Sequence, residues 1–267
     1  MMHLLKMIIF VVFITFFNCK KETKKIPLTI TTPPQWTSLF NGENLNGWIP
    51  KFNGYELGDN YKNTFRVEEG VLKVSYSAYE TFVDQYGHLF YKTSFSKYKL
   101  RLQYRFIGKQ VKGGESWATK NSGIMIHCQS PESMLIKQAF PVSLEAQLLG
   151  GVQKEEARPS GNLCTPGTHV VMNSKQITDH CISADCKTYY GDEWITVEIV
   201  VNNDSIKHYI DRKLVITYSK PTIGGQFLES ASKEIQEKNG EVLTSGYISL
   251  QSESHPIEFK NIEILIL

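Results

Sequence analysis

Between residues 98 and 106 the chain alternates without interruption, with Tyr98, Leu100, Leu102, Tyr104 and Phe106 set against Lys99, Arg101, Gln103 and Arg105. Successive side chains of a strand point to opposite faces, so this pattern predicts a strand with one buried face. Trp194 to Val201, Val215 to Tyr218 and Ile262 to Ile266 are rich in β-branched residues and predict further strands. Shorter candidates are Phe65 to Val67, Val71 to Val74, His88 to Tyr91, His169 to Met172, Ile206 to Ile210 and Tyr247 to Gln251. Turn pairs such as Asn41-Gly42, Glu69-Gly70, Gly113-Gly114, Gly150-Gly151 and Asn239-Gly240 punctuate them. Only Leu228 to Lys238 has helical apolar spacing, through Leu228, Ala231 and Ile235. About a dozen strands with turns this frequent predict an all-β sandwich of two antiparallel sheets. No linker follows Trp36, so residues 36–267 are expected to form one domain.

Two segments carry more than a sandwich needs. In Asn121-Ser-Gly-Ile-Met-Ile-His127, Ile124 and Ile126 share one parity while Asn121, Met125 and His127 share the other. In Phe140 to Gly151, Leu144, Ala146 and Leu148 alternate with Ser143, Glu145 and Gln147. One face is apolar; the other is expected to carry an imidazole, a carboxylate and amides. That second face is predicted to be a site.

Composition narrows the class. Formal net charge is +2 over 267 residues, with 12% aromatic and 21% charged residues, and the sequence pI is about 8.1. No long basic stripe is present, so nucleic acid is a poor partner. No internal repeat, Gly-rich phosphate loop, His-Glu-x-x-His, Gly-x-Ser-x-Gly or EF-hand pattern occurs, which argues against nucleotide hydrolysis and zinc-protease chemistry.

The uncharged run Met7 to Phe17 has the length of a signal peptide and is short for a bilayer span. Asn18-Cys19 stands where a bacterial lipoprotein signal has its cleavage point and lipidated cysteine, although Asn18 is larger than the usual residue there. Residues 1–18 are therefore expected to be a lipoprotein-type signal. Residues 19–35 are expected to be a tether anchored to the cell-envelope membrane through Cys19. An ordinary secretory signal is the alternative. An exported chain with Cys128, Cys164, Cys181 and Cys186 invites disulfides. Three pairings exist on paper. Cys164 with Cys181 is favoured, which leaves Cys128 with Cys186; zinc is disfavoured because no Cys-x-x-Cys element occurs.

Several phrases then carry a resemblance. They are Ser38-Leu-Phe-Asn-Gly-Glu-Asn-Leu-Asn-Gly-Trp48, Phe65-Arg-Val-Glu-Glu-Gly-Val-Leu72, Asn121-Ser-Gly-Ile-Met-Ile126, Glu145-Ala-Gln147, Gly246-Tyr-Ile-Ser-Leu-Gln251 and Ile257-Glu-Phe-Lys-Asn-Ile262. In this order, from Trp36 to the end, the chain resembles the bacterial 3-keto-disaccharide hydrolase domain family. The resemblance implies a concanavalin A-like jelly-roll sandwich with at most short helices, often exported and lipid-anchored. It also implies cleavage of glycosides already oxidised to a ketone at sugar C3. Cys128 and Cys186 look like additions within a subgroup of the family, which would suit a second disulfide.

A C3 ketone acidifies the proton on C2, so the oxygen on C1 can leave by β-elimination and water can then add. Such a route needs a base near C2, a donor to the enolate oxygen and an acid at the leaving oxygen. Ordinary glycosidases instead place two carboxylates around C1. One carboxylate, Glu145, stands out on the predicted face, which favours elimination; a second acid from a loop, such as Asp84, Glu155 or Asp179, stays open. Glu145 is expected to be the general base or a ligand of a divalent cation, and otherwise a surface carboxylate paired with Arg158. His127 is the expected acid or enolate donor, against a structural histidine. Asn121 and Gln147 fit sugar-hydroxyl contacts, and Trp117 a stacking surface. Arg158 could bind a sugar oxygen or orient Glu145, and His180 could reach the same pocket. His88, His169, His208 and His255 read as structural. The sequence shows no required cofactor. Competing readings are a non-catalytic carbohydrate-binding module and a lipoprotein scaffold.

Overall fold

The computed structural model describes residues 35–267; the expected signal, tether and Cys19 lie outside the described residues. Among the described residues, seventeen strands form two sheets, paired antiparallel throughout. The larger, ten-stranded sheet is centred on Tyr98–Phe106, flanked by Ile195–Asn202 and Ile257–Ile266. The seven-stranded sheet runs, edge to edge, Cys181–Ile182, Asn162–Cys164, Leu144–Leu149, Asn121–Cys128, Tyr247–Ser252, Gly87–Tyr91 and Trp48–Phe52. Hydrogen-bonded neighbours distant in sequence, with the chain passing repeatedly between the two sheets, make this an all-β jelly-roll sandwich.

Tyr98–Phe106 buries every second residue, as its alternation predicts. Its Leu100, Leu102 and Tyr104 join Ile124, Ile126, Leu144, Ala146 and Leu148 of the other sheet in one continuous core. Each fully buried apolar side chain there contributes roughly 1.5–3 kcal/mol. The opposite face of the seven-stranded sheet lies outside that core, between the sheet and the loops that cover it.

The helical spacing over Leu228 to Lys238 yields a 3-10 turn at Leu228–Ser230 and a four-residue helix at Lys233–Gln236. Ser232 interrupts the run: its backbone is extended and its side chain accepts from the Ile235 N–H, capping a fresh start. Leu228, Ala231 and Ile235 are nonetheless buried together.

Cys164 and Cys181 are disulfide-bonded, directly opposite each other across neighbouring strands. Cys128 and Cys186 are not bonded to each other and are free among the described residues, which corrects the expected second bridge. Cys128 is packed with Phe90, Met125 and Met134 on the outer side of the seven-stranded sheet, while Cys186 packs against the main core. The edge strand Cys181–Ile182 pairs through only two residues, so the bridge is its main tether. Replacing both bridged cysteines by serine is expected to cost about 3 kcal/mol, the loop-closure contribution for a separation of this size. A urea unfolding curve measures it, and an unchanged midpoint would contradict that role.

Candidate active site

The outer face of the seven-stranded sheet is built from the alternate residues of its central strands. Glu145 lies opposite Met125 and Cys164, and Gln147 opposite Gly123 and Asn162. Gln251 lies opposite His88 on the next pair. Of these, Glu145, Asn162, Gln251 and His88 are polar yet buried, and Gln147 is partly buried, because loops roof the face. Trp117, Phe140, Phe227 and His180 come from four such loops and enclose, with Asn121, Glu145, Gln147, Glu253 and the Cys164–Cys181 bridge, a cavity of about 380 Å³.

The roof is aromatic and continuous. His180 packs on Phe227 (ring centroids 4.9 Å apart), Phe227 on Phe140 (5.8 Å), Phe140 on Tyr86 (5.2 Å), and Tyr86 stacks on Trp117 (6.0 Å). Trp117 is 48% exposed and stands at the mouth. Phe227 adopts a left-handed backbone (φ 70°), a conformation non-glycine residues avoid and one that tends to occur at working sites.

The floor is polar and oriented. The Asn121 amide donates to the Trp117 carbonyl at 3.4 Å, and its own oxygen is buried with no partner among the described residues. Gln147 is turned the opposite way: its oxygen accepts from the Asn162 amide at 3.0 Å. Gln147 therefore has N–H left to donate and Asn121 has an oxygen left to accept.

Two carboxyl groups face this cavity. Burial pushes the Glu145 carboxyl up to about 8. Glu253 is raised well above the carboxylate range, by burial first and then by the neighbouring Glu145 charge. Neither forms an ion pair among the described residues, so nothing offsets the loss of hydration except the proton itself. Glu253 follows the strand Tyr247–Ser252 at a bend pinned by three hydrogen bonds: the Ser254 N–H to the Tyr76 hydroxyl (2.8 Å), Val111 N–H to the Ser254 carbonyl (3.0 Å) and the Gln110 amide to the Ser254 hydroxyl (2.9 Å).

Glu253 is the residue that sequence reasoning missed. Its signal is present: Ser249, Gln251 and Glu253 alternate with Ile248 and Leu250, the same polar-face signature as Ser143, Glu145 and Gln147. Ending the expected strand at Gln251 put Glu253 out of view. The inference from a lone carboxylate is thereby corrected, because the second acid comes from a neighbouring strand end and not from Asp84, Glu155 or Asp179.

His127 does not share this cavity. Tyr247 pairs with Cys128 and Ser249 with Met125, so Ile126 and His127 together face the single residue Ile248. This bulge, with His127 at φ 49°, shifts the parity by one: Cys128 takes the face His127 was expected to occupy. His127 instead borders a separate cleft with Gln129, Ser130, Lys238 and Glu241. Its convergence with Glu145 is therefore corrected.

Arg158 also has another place. Its guanidinium donates to the carbonyls of Thr119 (2.6 Å), Gly150 (2.7 Å) and Trp117 (3.3 Å), tying down the turn that carries Trp117. It neither pairs with Glu145 nor lines the cavity. His180 does line it, held neutral by burial. Among the described residues one trio of metal-type donors, Cys164, His180 and Cys181, gathers within 4.8 Å, but two of its atoms are the bonded sulfurs.

The family model for the 3-keto-alpha-glucoside-1,2-lyase-like domain matches residues 35–265, so the chain belongs to that family. Two crystal structures from Parabacteroides distasonis ATCC 8503, each described as a "putative glycosyl hydrolase", share its fold. One is 17% identical, with a TM-score of 0.52, covering 87% of this chain and 100% of the other. The second is 18% identical, with a TM-score of 0.51, covering 87% and 94%. No curated protein matches the sequence. The family and the site together define a protein that acts on glycosides.

Proposed function

We propose that this protein cleaves glycosides carrying a ketone at sugar C3, by proton abstraction at C2 and β-elimination followed by hydration. The observation that supports this reading most is the pair of buried, proton-retaining carboxyls, Glu145 and Glu253, facing one aromatic-roofed cavity. Of the two, Glu145 is assigned the earlier ionisation, since burial alone raises its carboxyl; its charge, once formed, adds to burial in holding the proton on Glu253. Ionised Glu145 removes the C2 proton, and the electron pair moves into the C2–C3 bond and onto the ketone oxygen. Gln147 N–H donates to that enolate oxygen. Collapse of the enolate forms the C1–C2 double bond and breaks the bond from C1 to the leaving oxygen, which takes the proton of Glu253. Water then adds its oxygen to C1 and gives one proton to ionised Glu253, while Glu145 gives its proton to C2; both carboxyls return to their starting states and the net change is hydrolysis. Trp117 and the other rim aromatics give the sugar or its aglycone a flat surface.

Two carboxyls also favour a second reading, direct displacement at C1 in the ordinary glycosidase manner. Purified protein incubated with a 3-keto-disaccharide and with the matched unoxidised sugar separates the two. Turnover of the oxidised sugar alone is expected; equal turnover of both would support direct displacement, and binding without turnover a non-catalytic module. The reading supposes an exported protein, lipid-anchored through Cys19 to the bacterial envelope. It requires no cofactor, and a divalent cation held by Glu145 is a variant of it.

A further inference from the structure

We infer that Gly123 is a positioning residue, whose missing side chain lets Glu145 lie across its neighbouring strand toward Glu253. This rests on Glu145 being the base. Gly123 sits in the interior of a central strand, where glycine weakens the sheet by forfeiting entropy and side-chain packing. No left-handed backbone excuses it, since Gly123 is not among the residues with positive φ. Its reason is spatial. A Cβ built on Gly123 would stand 2.3 Å from Glu145 Oε1 and 2.7 Å from both its Cδ and Cγ. All three nearest atoms belong to the Glu145 side chain, so the space that glycine leaves open is filled by that one residue.

The geometry follows from the register. Gly123 pairs with Gln147 and Glu145 with Met125, so Glu145 reaches diagonally over Gly123, away from its own strand. On the far side runs the strand that ends beside Glu253. A methyl group at position 123 has backbone tolerance but no room unless the carboxyl group moves. Because that group ends a flexible side chain, it can move without unfolding the sheet. The expected outcome is a folded protein with a displaced base.

Gly123→Ala is therefore expected to keep its thermal midpoint within a few degrees while kcat/KM on a 3-keto-disaccharide falls at least about tenfold, since a misplacement near 1 Å can cost up to about a hundredfold. The acidic limb of the pH profile should shift to lower pH, because the displaced carboxyl is better hydrated. In a Glu145→Gln background the same substitution should cost nothing further, as the two act through one group. Unchanged activity in Gly123→Ala, or an equal loss in the Glu145→Gln background, would overturn the inference. If Gly123→Ala fails to fold, Gly123→Ala with Glu145→Ala must fold, since the obstructing atoms are gone; failure of that pair would also overturn it. Titration of 13C-labelled glutamate carboxyls reads the displacement without turnover. A Glu145 titration that drops in Gly123→Ala upholds the positioning role even if Glu145→Gln shows that this residue is not the base, and an unmoved titration rejects it.

Discussion

Glu145→Gln is expected to lower kcat/KM on a 3-keto-disaccharide by at least about a hundredfold, the scale on which a positioned acid–base group acts. Gln keeps the shape and removes only the ability to accept the C2 proton, so substrate binding should change far less than kcat. Stability should move in the opposite sense to activity. The Glu145 pKa is about 8 in the folded protein against 4.5 for an ordinary glutamate. The native state therefore binds the proton more tightly than the unfolded chain. The stabilisation from that proton is full below about pH 4.5 and is lost as pH rises through 8. Gln has no proton to lose, so at pH 8 and above Glu145→Gln should melt higher than the parent. A variant that is both inactive and less stable at alkaline pH would instead point to a structural glutamate.

The second large effect belongs to Glu253→Gln. In the proposed roles Glu253 holds the proton destined for the leaving oxygen, and glutamine cannot deliver it. A loss of about a hundredfold or more is expected for sugar leaving groups. Leaving groups that need no proton, such as a nitrophenolate, should lose much less. The pH profile carries a further signature. In the parent, kcat/KM should rise toward pH 8 as Glu145 ionises, then fall at higher pH as Glu253 loses its proton. Neutral Gln resembles neutral Glu253, so the acidic limb should stay near pH 8 in Glu253→Gln while the alkaline limb disappears. A profile with both limbs intact would remove Glu253 from the proton path.

Much of this site was legible in the sequence because strand periodicity is a local property. The parity of Leu144, Ala146 and Leu148 against Glu145 and Gln147 needs no knowledge of the fold, and the structure has the same two faces. Disulfide partners in an edge strand and its neighbour, Cys181 and Cys164, also lie close in the chain. What failed depended on a neighbour. The bulge that carries His127 off the face exists only as a mismatch of register with Tyr247 to Ser249, and neither strand shows it alone. The Cys128–Cys186 bridge was an inference by elimination, and distance along a chain says nothing about which face a thiol occupies. Arg158 sits beside the site for a reason invisible in the sequence: three carbonyls converge there from two loops, Trp117 and Thr119 from one and Gly150 from the other. Glu253 lay one residue beyond a strand end, where sequence boundaries are least certain.

Burial explains why the pair can work at all. Two carboxyls left in water would ionise near pH 4 and repel one another at neutrality. Roofed by Phe140, Phe227 and Trp117, they keep their protons into the range where a carbon acid beside a ketone can be deprotonated. The apolar roof is thus part of the proton chemistry as well as a surface for sugar.

The most direct test is turnover of a 3-keto-disaccharide in D2O, with the deuterium content at C2 of the released sugar measured by NMR or mass spectrometry against an enzyme-free control. Abstraction of the C2 proton, its exchange from Glu145 into solvent as the leaving group departs and water enters, and reprotonation at C2 predict one solvent deuterium at C2 for each glycosidic bond cleaved. Cleavage with the original hydrogen retained at C2 would contradict the account, since displacement at C1 leaves that position untouched.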